Sequence, residues 1–206
     1  MEFKNLLMQK SNNVIGLDIG TSSIKLIEIE ESKGGHRLKN FGISNLPKDA
    51  IVNGSIVNHD AVVSSIQQIL SNLKIKTRDV VASISGHPVI IKKITMPVAT
   101  DEELEESIKF EAEQYIPFDL EEVNIDFQVL AVEEEKADQM NVMLVAAKKV
   151  MINDYTKVLA DAGLTPVILD IDVFALENAF EINYPLEEEQ NAALIDVGAS
   201  TIIINV

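Results

Sequence analysis

Short apolar runs separated by polar turns recur along most of the chain, and their spacing predicts an α/β protein. Residues 14–19 and 24–29 are two such runs, joined by a turn of Gly20, Thr21, Ser22 and Ser23. Apolar runs bounded by glycine and serine predict a β-hairpin. Residues 37–44 are predicted as a third strand, which extends the hairpin to a three-stranded meander.

The rest of the chain alternates helical and strand patterns, with a change of texture near Ser85-Gly86-His87-Pro88. Asn58 is a predicted N-cap, and the sequence from Thr100 to Glu103 is a predicted capping box. Pro117 stops the second helix after Tyr115. The predicted helices are 59–73, 101–115, 149–162 and 172–180, and the predicted strands after the meander are 79–84, 89–96, 123–132, 141–147 and 165–171.

The turn of the first hairpin carries the first candidate chemistry. Gly20 lets a ligand approach the backbone, and Thr21, Ser22 and Ser23 offer hydroxyl and N–H groups that suit a phosphate. Asp18 lies at the end of the strand, where a cation bridging phosphates needs a carboxylate. The alternative is a plain hairpin with a polar turn and an acid satisfied by hydroxyls.

A second copy of this pattern favours the phosphate interpretation. Residues 194–201 repeat the order of apolar strand, acid, apolar residue, glycine and small hydroxyl residues. The two acids are 178 positions apart (196 − 18). Two such turns facing each other can hold a polyphosphate, with a hydrated Mg²⁺ between the two carboxylates. The second candidate set is Asp196, Gly198, Ala199, Ser200 and Thr201.

Composition narrows the function classes. The net charge is −16, with 33 acids against 17 bases, so the surface repels nucleic-acid backbones and no nucleic-acid partner is expected. The chain has no cysteine, which excludes disulfides and thiolate metal sites and is compatible with a cytoplasmic location. No apolar run is long enough to span a bilayer, so membrane association is expected only through a partner.

These motifs resemble the PilM family of type IV pilus assembly proteins, within the actin, Hsp70 and sugar-kinase superfamily. The superfamily part of the resemblance lies in Gly16 to Lys25 and Ile195 to Gly198. The more family-specific part is the run Glu111-Ala112-Glu113-Gln114-Tyr115-Ile116-Pro117-Phe118. The helix at 172–180 resembles the connecting helix that precedes the second phosphate turn in that superfamily.

The resemblance implies an actin-like (ribonuclease H-like) mixed sheet with an inserted 1C-type β-α-β-β-α subdomain. Residues 13–84 plus 166–182 would form subdomain 1A, residues 85–165 the insertion, and residues 190–206 the start of subdomain 2A. The family's adenosine motif and the rest of its second half have no counterpart up to Val206, a truncation relative to the family pattern. We therefore expect weak or no ATP affinity for this chain, although the 1A and 1C half is complete.

The resemblance also implies a partner, the N-terminal tail of an inner-membrane protein of the PilN type, held in a groove between 1A and 1C. Tyr115, Ile116 and Phe118 are either core residues or part of the wall of that groove. Residues 1–12 are either a flexible leader or a docking helix. Asn5-Leu6-Leu7 resembles the centre of the PilN-type tail, so the leader is a candidate for self-association through the same groove.

Two function classes follow from these observations. The leading hypothesis is a cytoplasmic actin-like adaptor of pilus assembly that binds ATP and Mg²⁺ when full length and is at most a weak ATPase. The alternatives are a kinase of the sugar-kinase superfamily or a filament protein of the cell-division type. A kinase needs a catalytic base, and no acid in residues 85–165 could be assigned to that role. Lys25 is either a phosphate ligand or a solvent-facing strand lysine.

Overall fold

The computed structural model describes residues 14–32, 35–132, 138–184 and 191–206, so the predicted leader at 1–12 lies outside the described residues. The strands are β1 Ile15–Ile19, β2 Ser23–Ser32, β3 Gly35–Asn45, β4 Ile51–Val52, β5 Ser55–Ile56, β6 Asp79–Ile84, β7 Val89–Pro97, β8 Val123–Val132, β9 Gln139–Lys148, β10 Thr165–Ile171, β11 Leu194–Val197 and β12 Ile202–Asn205. The helices are α1 His59–Asn72, α2 Asp101–Ala112, α3 Lys149–Asp161 and α4 Asp172–Asn183.

The described chain divides into two units. Unit 1 runs up to Gly86 and resumes at Asp154, and unit 2 is His87–Asn153. Unit 2 is shorter than 85–165, the insertion that the resemblance implies, and that insertion stays a prediction. The difference lies in α3, whose second half belongs to unit 1, where Tyr155 hydrogen-bonds to the Gly54 carbonyl and Asp161 pairs with His59.

Unit 1 is built on a five-stranded mixed sheet in the order β10-β6-β1-β2-β3. The meander β1-β2-β3 is antiparallel, whereas β6 and β10 join parallel to β1. Alternation along β1 buries Ile15, Leu17 and Ile19 on one face and leaves Gly16 and Asp18 on the other. The apolar face of α1 is buried along with them, and its N-terminus is capped by Asn58 as predicted.

Unit 2 is a three-stranded antiparallel sheet in the order β7-β9-β8, packed against α2. Leu104, Ile108 and Ala112 from α2 join the buried face of the sheet. The capping box of α2 is present, because the Glu103 N–H donates to the Thr100 side chain and the Glu103 carboxylate accepts from the Thr100 N–H. The sequence therefore located the beginning of this helix correctly.

The end of α2 differs from the prediction of Tyr115, since the helix ends at Ala112. The backbone tightens there into bonds that reach three residues back, from Gln114 N to Glu111 O (3.2 Å) and from Tyr115 N to Ala112 O (3.0 Å). Among the described residues, no helix is both long enough and apolar enough to cross a bilayer.

Candidate functional site

The two predicted phosphate turns have the same construction. In the first hairpin the last cross-strand pair before the turn is Ile19 with Ile24, and in the second it is Val197 with Ile202. Each turn therefore spans four residues, and each acid lies one position before the last pair. The repeat detected in the sequence is a repeat of backbone geometry.

Each turn leaves little room for a side chain at its glycine, and the second turn leaves less than the first. The Gly20 N–H donates to the Ser23 carbonyl (3.1 Å), and the Gly198 N–H donates to the Thr201 carbonyl (2.9 Å). A Cβ at Gly198 would lie 2.9 Å from the Thr201 carbonyl oxygen, and one at Gly20 would lie 3.2 Å from that of Ser23. Because these two N–H groups are already used, hydroxyls and the remaining N–H groups are what the turns can offer a phosphate.

The two turns meet through their hydroxyls. The Ser200 Oγ donates to the Thr21 Oγ1 (3.0 Å), although the two residues are 179 positions apart in the chain. A second bond ties β12 to α4, from the Asn205 amide to the Glu177 carboxylate (3.1 Å). Ser22 and Ala199 are exposed. The fold thus brings the two sequence-predicted turns together at one edge of unit 1.

A lysine and an acid define the charged part of the site. Asp18 and Lys25 are cross-strand partners in β1 and β2, and the Lys25 Nζ lies 2.6 Å from the Asp18 Oδ2. This hydrogen bond raises the pKa of Lys25; partial burial opposes the shift, and the carboxylates of Asp196 and Asp172 add to it. The corresponding position of the second hairpin is Ile203, the partner of Asp196. The site therefore has one cation among several acids.

Two acids of the site were absent from the sequence prediction. Asp172 begins α4, and Asp170 lies at the end of β10, where burial raises its pKa, the hydrogen bond from the Ile171 N–H lowers it, and Asp172 adds to the rise. Asp170 joins Asp18 and Lys25 in lining a cavity of about 340 Å³. The available signal was the repeated pattern of an apolar strand with an acid near its end, which also occurs in β10.

The charge distribution of the site suits a metal–phosphate ligand better than a bare metal ion. Among residues 14–32, 35–132, 138–184 and 191–206, no three His, Cys, Asp or Glu side chains converge to hold a metal ion. Asp18 and Asp196 supply two carboxylates, while Lys25 and the turn hydroxyls suit phosphate oxygens. Carboxylates and phosphate-binding groups are therefore both present on the two hairpins whose turns meet.

The predicted partner-groove residues follow α2 in unit 2 and differ in exposure. Ile116 is buried in the core of that unit, so its side chain does not face solvent. Tyr115 is 41% exposed. Phe118 packs on the edge of the core, and the Lys148 Nζ lies 4.3 Å from its ring centroid, a cation–π distance. Only Tyr115 and Phe118 thus remain as surface candidates.

The sequence model of the type IV pilus assembly protein PilM matches residues 16–206. The chain belongs to the PilM family. A solved structure titled as the PilM–PilN type IV pilus biogenesis complex contains a chain that is 30% identical, with a TM-score of 0.83 over 93% of the present chain. The present chain spans 57% of the length of that relative. The actin-like α/β fold predicted from the PilM resemblance is confirmed.

Two more distant relatives extend the comparison. The cell division protein FtsA of Streptococcus pneumoniae is 32% identical over 78 residues, which are 38% of this chain and 17% of FtsA. The cytoplasmic domain of EpsL, an inner-membrane component of the Vibrio cholerae type II secretion system, has a TM-score of 0.54 at 16% identity. That similarity covers 80% of this chain and 59% of the EpsL domain, and it shows a shared fold.

Proposed function

We propose that this PilM-family chain is the docking half of a cytoplasmic adaptor in type IV pilus assembly, which is held at the inner membrane by the tail of a PilN-type protein. The observation that carries the proposal is the family match over residues 16–206. It is supported by the 30% identity to a chain of a PilM–PilN type IV pilus biogenesis complex. An adaptor of this kind needs a partner surface and a means of regulating it.

Tyr115 and Phe118 form the proposed partner corner of unit 2. Both present aromatic surface in the segment that follows α2, and aromatic residues of this kind anchor extended peptides in shallow pockets. We expect Tyr115→Ala and Phe118→Ala to weaken capture of a PilN-type tail while the chain stays folded. Phe110→Ala is the matched control, because Phe110 is 75% exposed on α2 outside the corner. Equal capture by all three variants in a pull-down argues against the corner.

The second part of the proposal is that the two turns bind the phosphates of a magnesium nucleotide, with ATP as the expected ligand. Lys25 and the hydroxyls of Thr21, Ser22, Ser23, Ser200 and Thr201 would contact phosphate oxygens, with Asp18 and Asp196 holding Mg²⁺ through water. The contact between Ser200 and Thr21 supports this arrangement, because it places both turns within reach of one ligand. Bound nucleotide would then favour one state of the partner surface.

Amide NMR shifts test the nucleotide proposal even for weak binding. Titration with Mg-ATP should move the amide signals of Gly20 and Gly198 together. Lys25→Met should weaken the apparent affinity by about tenfold or more, because a hydrogen bond to a charged group contributes about 1.5–3 kcal/mol. Lys92→Met, an exposed strand lysine in unit 2, is the control. Movement of only one turn, or equal behaviour of the two lysine variants, would refute a two-turn site.

A further inference from the structure

One face of the β1-β2-β3 meander carries a cluster of exposed apolar side chains. Gly42 of β3 faces α1, because a Cβ there would lie 2.9 Å from the Ile69 Cγ2. Alternation therefore turns its neighbours Phe41 and Ile43 to the opposite face, together with their cross-strand partners in β2. This cluster, the open face, consists of Ile27, Ile29, Leu38, Phe41 and Ile43, which are between 38% and 59% exposed. Contiguous apolar surface of this kind marks a binding site.

The open face adjoins a depression in the sheet. Gly16 has no side chain, and a Cβ there would lie 2.8 Å from the Ile27 Cγ2, so the Ile27 side chain already lies over this position. The cavity of about 340 Å³ extends to the open face, since its lining includes Ile27, Phe41 and, from α4, Ala175. A segment that docks on this face therefore meets both an apolar surface and a recess for a side chain.

The leader joins the sheet at one end of the open face. Ile15, the first residue of β1, pairs with Glu28, so the preceding residue, Val14, enters the sheet beside Ile29. Val14 is exposed, and alternation places it on the side of the open face, opposite to the buried Ile15. The leader at residues 1–12 is therefore attached next to the apolar cluster.

The apolar pattern of the leader matches this surface in kind and in length. Phe3, Leu6 and Leu7 recur at helical spacing and would form one apolar stripe. The 11 positions from Val14 back to Phe3 (14 − 3) would span about 16 Å as a helix. The open face extends over residues 25–29 of β2, which is about 13 Å of strand. The stripe is thus long enough to lie along the whole cluster.

We propose that the open face is a docking surface for the chain's own leader, which lays Phe3, Leu6 and Leu7 on it as a short amphipathic helix. Because the leader is tethered beside the face, its effective concentration there is in the millimolar range, and a weak apolar contact is enough to hold it. A docked leader is withheld from the partner corner of unit 2, to which the resemblance of Asn5-Leu6-Leu7 to a PilN-type tail would otherwise direct it. The docking requires neither nucleotide nor partner.

Paramagnetic relaxation enhancement in the full chain tests the docking. The chain has no cysteine, so Asn5→Cys creates a unique attachment site for a nitroxide, which broadens only nearby NMR signals. We expect loss of the amide signals of Ile27 and Phe41 on the open face. The signal of Gln68 should persist, because Gln68 is exposed on α1, which packs on the other face of the sheet.

Matched variants test both sides of the contact. Leu6→Asp combined with Leu7→Asp should restore the signals of the open face, whereas Met8→Asp should not, because Met8 lies off the apolar stripe. On the sheet side, Phe41→Ser should reduce the broadening at Ile27. Val57→Ser is the control for that substitution, since Val57 is an exposed apolar residue outside the open face.

The remaining outcomes would overturn the proposal. Equal broadening at Phe41 and Gln68, or broadening that survives Leu6→Asp with Leu7→Asp, would show that the leader has no preferred site on the sheet. Broadening at Tyr115 in place of the open face would assign the leader to the partner corner. A mixture of nitroxide-labelled chain with isotope-labelled chain lacking the nitroxide should show no broadening, and broadening there would assign the contact to a second copy. No nucleotide or PilN-type peptide is added, so failure of the proposed function gives a separate result.

Discussion

Glu28 in β2 offers the sharpest test of how the sheet of unit 1 is stabilised. Glu28 is only 2% exposed, although its side chain is a carboxylate. The Lys39 Nζ (2.9 Å), the Asn40 Nδ2 (2.6 Å) and the Thr77 Oγ1 (3.1 Å) all donate to it. The acceptor thus ties β2 to β3 and to the segment that precedes β6. A buried carboxylate is tolerated here because it is fully paired.

The expected cost of Glu28→Gln can be worked out from these contacts. Lys39 is 43% exposed, so its pair with Glu28 contributes at most about 1 kcal/mol. Hydrogen bonds to a charged acceptor contribute about 1.5–3 kcal/mol each. The neutral amide introduced by Glu28→Gln keeps part of that energy, because the Asn40 side chain can turn to bond with it. We therefore expect a loss of about 2 kcal/mol in the free energy of unfolding. Chemical denaturation with urea measures it.

Glu30→Gln is the matched control, two residues along the same strand. Glu30 pairs with Arg37, whose side chain is 70% exposed, so its loss should cost no more than about 1 kcal/mol. If Glu28→Gln destabilises the chain no more than Glu30→Gln does, the buried carboxylate does not stabilise the sheet and the reasoning fails.

The same residue gives a pH dependence of defined sign. Burial raises the pKa of Glu28, but the hydrogen bonds from Lys39, Asn40 and Thr77 outweigh it, and the pKa lies below its ordinary value of 4.5. A lowered pKa contributes stability that is complete above pH 4.5 and is lost as the pH falls through the folded-state pKa. The stability gap between the unmodified chain and Glu28→Gln should therefore close in acid. A gap that is constant from neutral pH into acid contradicts this assignment.

Two further predictions concern the local backbone. Gly198→Ala should open the second turn, because a Cβ there would lie 2.9 Å from a backbone oxygen, whereas Gly20→Ala at 3.2 Å needs only a small shift. If Gly20→Ala moved the amide signals of residues 20–23 as much as Gly198→Ala moved those of residues 198–201, this ranking of the two turns would be wrong. Thr100→Ala removes the N-cap of α2, so it should lower the free energy of unfolding in urea by about 1 kcal/mol. Thr95→Ala is the control, because Thr95 lies outside any helix and its substitution leaves the cap in place. Unchanged amide exchange in the first turn of α2 would show that the cap is dispensable.

The local pattern of the sequence predicted most of the fold because most elements follow local rules. The bounds of β8 and β10 agree with the strands predicted at 123–132 and 165–171. Thr100 and Asn58 begin their helices as capping chemistry requires. The paired β4–β5 hairpin was not predicted as strands, because elements of two residues have no periodicity to detect.

The sequence predicted the two turns of the site but not all of its charged residues. Asp18 and Asp196 were found because each belongs to a repeated local motif. Asp170 joins Asp18 through the parallel pairing of β10 with β6 and of β6 with β1, which no local pattern specifies. Glu28 was missed for a related reason, since an acid in an alternating strand is normally exposed. Its burial depends on donors 11, 12 and 49 residues away.

A fluorescence anisotropy titration of residues 1–206 with a labelled N-terminal tail peptide of a PilN-type protein most directly tests the proposed adaptor function. We expect saturable binding that a scrambled peptide of the same composition does not show and that Phe118→Ala weakens. A folded chain that binds both peptides equally, or neither, would contradict it.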